Sequence, residues 1–317
     1  MHRRRLPLTT PPVVGLLLAV PWAACAQAPG PDTPVAAVHA DSVRILDDLR
    51  WLADDARLGR APLTPGSEAT RDRIAATFRE AGVRAFEGGY AQPFDDVSTG
   101  EPAGVNVVGW LPGSAGDAGP FLVITAHFDH MGTRDGTVFN GADDNASGTA
   151  ALLFLARHLA RNPLPVPVIL AAVDTEESGL VGARAFVADP PVPAGRLGLN
   201  VNLDMLSRGG GTLWAAGAYH TPALGPVLDD VAARAPMTLR QGHDRPGVPG
   251  MDDWTRSSDH GAFHEAGIPW VYFGVEDHPD VHAPTDDFER IDPSDYLDAV
   301  RTVLLALEAL ASAAPLR

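Results

Sequence analysis

Acidic and histidine side chains gather in five short stretches of this chain. The first is Ala126-His127-Phe128-Asp129-His130, directly after the apolar run 121–126. His127 and Asp129 are two residues apart, so an extended backbone points both to one side. A metal-ligating imidazole commonly gives its second ring N–H to a carboxylate, which this pair could supply; a solvated polar strand end is the alternative. In the second stretch, 140–148, Asp143 and Asp144 adjoin among small residues. Such acids could cap the following helix, or let a cation approach the backbone. Asp174-Thr175-Glu176-Glu177 follows another apolar run, and its adjoining acids repel unless a cation lies near. One could then bind metal while the other moves a proton. Asp204 sits in an apolar strand, where a lone carboxylate is costly and needs a metal or an Arg. The fifth stretch, 277–287, offers His278 and His282, and spacing does not choose between them. Cys25 is the only cysteine, so thiolate ligation is excluded in the body of the chain. The His/Asp/Glu donors suit zinc, with cobalt or manganese as substitutes. Adjoining carboxylates point to a two-metal centre, one Asp bridging ions about 3.5–4 Å apart.

These side chains must be positioned by the elements between them. Apolar residues at helical spacing predict helices over 41–57, from Gly66 to a stop at Gly82, and over 148–159, 180–187, 221–235 and 293–311. Strands are expected at 83–94, 105–111, 121–126, 168–173, 199–203 and 270–273. The runs at 121–126 and 168–173 are apolar throughout, as in strands covered on both faces. The alternation implies a three-layer α/β/α sandwich with a mixed, mostly parallel central sheet. Four polar stretches then fall at the carboxyl ends of strands, where open α/β sheets bind ligands.

The 317 residues are 45% hydrophobic, enough for one large core, expected over residues 38–317. Residues 1–25 have the order of a secretory signal: arginines, a short apolar run at 13–20, then small residues. Cleavage before Cys25 would give a lipidated protein; the site Ala24-Cys25-Ala26 would release a soluble one. The chain is therefore expected to be exported, either periplasmic or surface-anchored, or secreted. Residues 26–37 would form a Pro-rich tether. The net charge is −16 and there is no lysine, which argues against nucleic acid as partner.

Together, AHFDHMG (126–132), NGADDNASG (140–148), DTEESGLVGARAF (174–186), NLDM (202–205), SSDHGAFHEAGIP (257–269) and VHAPTDDFERID (281–292) resemble the M28 zinc aminopeptidases. The segment 59–83 resembles that family's lead-in, and the likeness spans roughly 40–310. The resemblance implies His127, Asp144, Glu177, Asp204 and His282 as ligands of two zinc ions, with Asp144 bridging. Asp143 and His278 are then not ligands. It implies Asp129 as the acid orienting His127, and Glu176 as the general base that relays a proton from water to the leaving amine. Substrates would be peptides with a free N-terminus, cleaved one residue at a time. One departure concerns the Tyr that some members carry upstream of the SDH segment. Trp254-Thr255-Arg256-Ser257 has none. Pocket walls are expected from 258–263 and 272–280.

Two other functions compete. A glutaminyl-peptide cyclotransferase uses a similar ligand set around one zinc. An inactive binding protein could keep the peptidase fold, although such relatives usually lose ligands, and all five are present here.

Overall fold

The computed structural model describes residues 34–96 and 98–313. The N-terminal half runs α1 (Pro34–Leu52), α2 (Pro65–Ala81), β1 (Arg84–Ala85), β2 (Ala91–Asp95), β3 (Pro102–Leu111), β4 (Phe121–His127), β5 (Gly132–Arg134), β6 (Thr137–Phe139) and α3 (Gly148–Arg161). Then follow β7 (Val168–Val173), α4 (Val181–Ala188), β8 (Leu197–Leu203), β9 (Thr212–Ala216), α5 (Leu224–Ala232), β10 (Thr238–Gln241), α6 (His260–Glu265), β11 (Trp270–Gly274) and α7 (Pro293–Ser312). Nine strands form one sheet in the order β1-β3-β7-β4-β8-β11-β9-β10, with β2 also paired to β3. The central β7, β4, β8 and β11 are mutually parallel. β3 and β9 flank them antiparallel.

Every residue of β4, β7 and β8 is buried, because helices cover both faces. The alternation of a strand divides their side chains between two cores. Leu122, Ile124, Leu170 and Ala172 pack with residues of α1, α2, α3, α5 and α7. Val123, Ile169, Ala171 and Val173 face the other way, onto Phe186 of α4 and Phe263 of α6. This is the α/β/α sandwich expected from the alternating pattern. Helix ends follow local chemistry. Asp292 caps α7 by accepting from the Ser294 and Asp295 amides, with Pro293 in the first turn. Gly82, at φ 85°, closes α2.

Several boundaries differ from expectation. The strand expected over 83–94 is two short pieces, because Gly88 and Gly89 take positive φ and turn the chain between them. The first helix ends at Leu52, and Asp55–Arg60 makes a separate 3₁₀ turn capped by Asp54. α1 begins at Pro34, inside the stretch expected to be tether. The leader at 1–25, with Cys25, lies outside the described residues. Strands β9 and β10 and helix α6 were not anticipated; at four to six residues they are too short to show a period. Among the described residues no helix is long and apolar enough to cross a membrane.

One buried side chain ties these layers to the polar stretches. Arg60 is fully buried, and its guanidinium donates to four main-chain oxygens. These are Phe128 at 2.7 Å, Leu52 at 2.8 Å, Asn140 at 2.6 Å and Gly141 at 3.0 Å. It thus clamps the end of α1, the segment after His127 and the loop before Asp144. The preceding Gly59 has φ 62°, and a Cβ there would lie 2.4 Å from the Phe139 oxygen. Only glycine lets the chain pass that close. Arg60→Met should leave four buried carbonyls without their donor and cost about 3 kcal/mol or more. Urea unfolding of the metal-free protein measures it; an unchanged midpoint would contradict the clamp.

Candidate metal centre

Four adjacent parallel strands deliver the polar residues to one end of the sheet. His127 ends β4, Asp174–Glu177 follow β7, Asp204 follows β8, and His282 lies on the loop after β11. Asp144 arrives from the turn before α3, and the peptide bond after it is cis. Its neighbour Asn145 stitches that turn to the end of β8. The Asn145 side chain donates to the Leu203 oxygen and accepts from the Met205 and Gly148 amides. Ser147 adds a bond from the Leu206 amide, and Thr149 donates to the His127 carbonyl. The loops that carry these polar residues are thereby fixed to one another through buried backbone groups.

The two carboxylate oxygens of Asp144 face different histidines. Oδ1 lies 3.3 Å from His127 Nε2, and Oδ2 lies 3.1 Å from His282 Nε2. His127 Nε2 is also 3.3 Å from Asp204 Oδ1, and His282 Nε2 is 3.3 Å from Glu177 Oε2. Asp144 therefore stands between two donor groups: His127 with Asp204, and His282 with Glu177. His127, Asp144 and Asp204 bring donor atoms within 4.8 Å of one another, and so do His130, Asp144 and Glu177.

The pairs left open by spacing separate cleanly. His278 Nε2 lies 3.1 Å from Asp143 Oδ2, while Asp143 Oδ1 accepts from the Ser207 amide and hydroxyl. Asp143 and His278 thus form a second pair, engaged with each other rather than with Asp144. Asp129 lies beside His127 and also reaches the turn after β7. Its carboxylate accepts from the amides of Glu176, at 3.0 Å, and Glu177, at 3.3 Å. His127 Nδ1 is 3.2 Å from the Asp129 main-chain oxygen and 3.6 Å from its carboxylate. The same residue holds the imidazole through its carbonyl and the Glu176-Glu177 turn through its side chain.

Electrostatics single out the same residues. Glu176 is pushed well above the usual carboxylate range by burial, and by Asp204, Asp259 and Asp129 nearby, against the opposing pull of His127. Burial also raises Asp204. For Glu177, burial works upward but the close approach of the His130 and His282 imidazoles prevails, bringing it to about 2. Asp144 is likewise held low by His127 and His282 despite its burial. Hydrogen bonds to Asp144 and Glu177 lift His282 to about 10. Asp259 is fully buried with neither carboxylate oxygen hydrogen-bonded, and burial raises it to about 8. So much buried acid around three histidines fits divalent cations, which can neutralise the charge and occupy the remaining lone pairs. The donors are nitrogen and oxygen only, a set suited to zinc.

An open cleft of about 510 Å³ runs past Glu176, Asp204 and His282. Leu180, Met205 and Val281 give it apolar wall, and Arg184 and Arg256 give it two cations. The walls expected from 258–263 do not form it. Ser258 and Phe263 are buried, because α6 turns that segment into the layer under the sheet. From 272–280 only Asp277 reaches it; the Tyr272 hydroxyl is buried and donates to the Asp204 carbonyl. Sequence reasoning assigned no role to Arg60, His130, Asp259 or Asp286. The motif around His127 did contain His130. Nothing local marked Asp286, whose carboxylate accepts from the Asp143 and Asp144 amides across 142 or more residues.

The sequence pattern described as Peptidase family M28 matches residues 106–307, and the chain belongs to that family. Aminopeptidase YwaD of Bacillus subtilis is 32% identical over 180 residues, which are 54% of this chain and 36% of YwaD. The chain thus spans about a third of that relative's length. Among solved structures, LapB of Legionella pneumophila superposes with a TM-score of 0.69 at 18% identity, covering 90% of this chain and 76% of its own. The zinc aminopeptidase BSAP of Bacillus subtilis gives 0.65 at 17% identity, covering 84% and 94%. Glutaminyl cyclase of Bacteroides thetaiotaomicron also gives 0.65 at 17% identity, covering 86% and 97%. These likenesses establish the fold.

Without metal, the buried acids make stability depend on pH. Asp286, Asp174 and Asp259 rise from 3.8 to about 6, 7 and 8, in each case chiefly by burial. The folded chain holds these protons where the unfolded chain has released them. Stability from this source is complete below pH 3.8 and is lost as pH climbs toward 8. The chelated protein should therefore melt at a lower temperature at pH 8 than at pH 5.5, and bound zinc should flatten the difference. Calorimetry across that range checks it; equal melting points for the chelated protein would contradict the assignment.

Proposed function

We propose that the chain is a metal-dependent aminopeptidase that removes N-terminal residues from peptides, with two zinc ions held by His127, Asp144, Glu177, Asp204 and His282. The observation that carries this reading is Asp144 with one oxygen toward His127 and the other toward His282. One ion would take His127, Asp204 and Asp144; the other would take Glu177, His282 and Asp144. When bound, the ions supply Lewis acidity to the attacking water and the scissile carbonyl. Membership of the M28 family and the names of YwaD and BSAP support the peptidase assignment.

Glu176 is the general base. It lines the cleft beside Asp204. Its raised proton affinity suits a group that must take a proton from water and return it to the leaving amine. Asp129 holds the Glu176 amide and so fixes the base. The carboxylates around the centre would also hold the substrate's α-ammonium, which would limit cleavage to the N-terminal residue. The leader-like residues 1–25 support export, and Cys25 would be the lipid attachment point of an anchored form.

Glu176→Gln should retain both ions while kcat falls by at least about 10³-fold, in line with losses at a single essential catalytic group. Aminoacyl-anilide turnover near the wild-type rate would defeat the base assignment. Chelation should abolish activity, and zinc or cobalt should restore it; full activity in exhaustively chelated protein would defeat the metal reading. The shared fold with a glutaminyl cyclase motivates one competing outcome. A single ion per chain, with ammonia released from N-terminal glutamine and no peptide cleavage, would replace the peptidase assignment with cyclisation.

A further inference from the structure

His130 is not among the five residues assigned to the metals, yet it lies inside the second donor group. It is 1% exposed. Its Nδ1 is 2.5 Å from Glu177 Oε1 and 3.8 Å from Asp144 Oδ2. Neither ring nitrogen makes a hydrogen bond, and neither does Glu177 Oε1, so the close approach is not a well-directed N–H···O contact. A buried imidazole with both nitrogens unmatched is uncommon and calls for a partner. Its surroundings are shaped for it. Gly141 lies against the ring, and a Cβ there would sit 2.5 Å from two ring carbons. Arg60 fixes the backbone on both sides, through the Phe128 and Gly141 oxygens. His282 faces the same two carboxylates, its ring centre 6.0 Å from that of His130.

We propose that His130 is a ligand of the second ion, through Nδ1, beside Asp144, Glu177 and His282. This rests on the two-ion reading and makes it asymmetric. The first ion would have one imidazole, the second two. A cation bound beside both His130 Nδ1 and Glu177 Oε1 would use the two buried donor atoms that have no hydrogen bond, and two imidazoles with two carboxylates make up a four-ligand zinc set.

X-ray absorption of the wild-type protein loaded with two zinc ions tests this without a variant. Three imidazoles shared by two ions are expected. Two imidazoles over two ions would overturn the proposal and leave the peptidase reading intact; uptake of no zinc would overturn both. His130→Ala provides the second arm, read by chelator competition and by the visible spectrum of the cobalt form. The second ion should lose at least about 10- to 100-fold in affinity, the range seen when groups supporting a metal are removed. The first should hold, and half of the cobalt spectrum should change. Unchanged affinities and spectrum would overturn the assignment. Weakened binding with only two imidazoles in the wild type would also overturn it, making His130 a support for Glu177 instead.

Discussion

Like charges crowded out of water set the terms for this structure. Asp129, Asp144, Asp174, Asp204, Asp259 and Asp286 are all buried or nearly so at one end of one sheet, with Glu176 and Glu177 beside them. In a low-dielectric interior their mutual repulsion is strong, and each must find a compensating group. Some are served by backbone amides. Asp129 takes those of Glu176 and Glu177, Asp286 those of Asp143 and Asp144, and Asp174 those of Val105 and Thr175. Others face histidines across Asp144. The Arg60 guanidinium adds a positive charge behind the cluster while spending its hydrogen bonds on carbonyls, so it leaves the carboxylates free.

That division explains why the polar stretches had to be so far apart in sequence. The acids come from different strand ends and loops, and the parallel order β7-β4-β8-β11 brings four such ends together. The apolar strands carry the cost of the arrangement. They are buried on both faces, so their register cannot slip without exposing core side chains.

The central strands and long helices were legible because burial on both faces leaves unbroken apolar runs, and amphipathic helices leave a periodic stripe. The short elements β9, β10 and α6 were not, since their order comes from neighbours rather than from their own pattern. The site divides in the same way. Residue types and strand ends pointed to His127, Asp204 and the pair Glu176-Glu177, and the choice within that pair rested on family resemblance. The choice of Asp144 over Asp143 rested on family resemblance, and the structure gives the physical difference: Asp143 faces Ser207 and His278, while Asp144 faces His127 and His282. Arg60 could not be read at all. An arginine after a glycine looks like a surface loop until the carbonyls it collects, 8 to 81 residues away, are brought around it.

His282 differs from its counterpart in one respect. The His127 side chain is 1% exposed at a strand end, whereas that of His282 is 53% exposed on a loop and takes a positive φ. A ligand that can swing into solvent lets an ion leave stepwise; a ligand locked in the sheet does not. On the proposed assignment, the two positions would therefore have unequal exchange lifetimes. The inner ion would be retained from assembly onward, and the outer one would turn over with whatever divalent metal the surroundings supply.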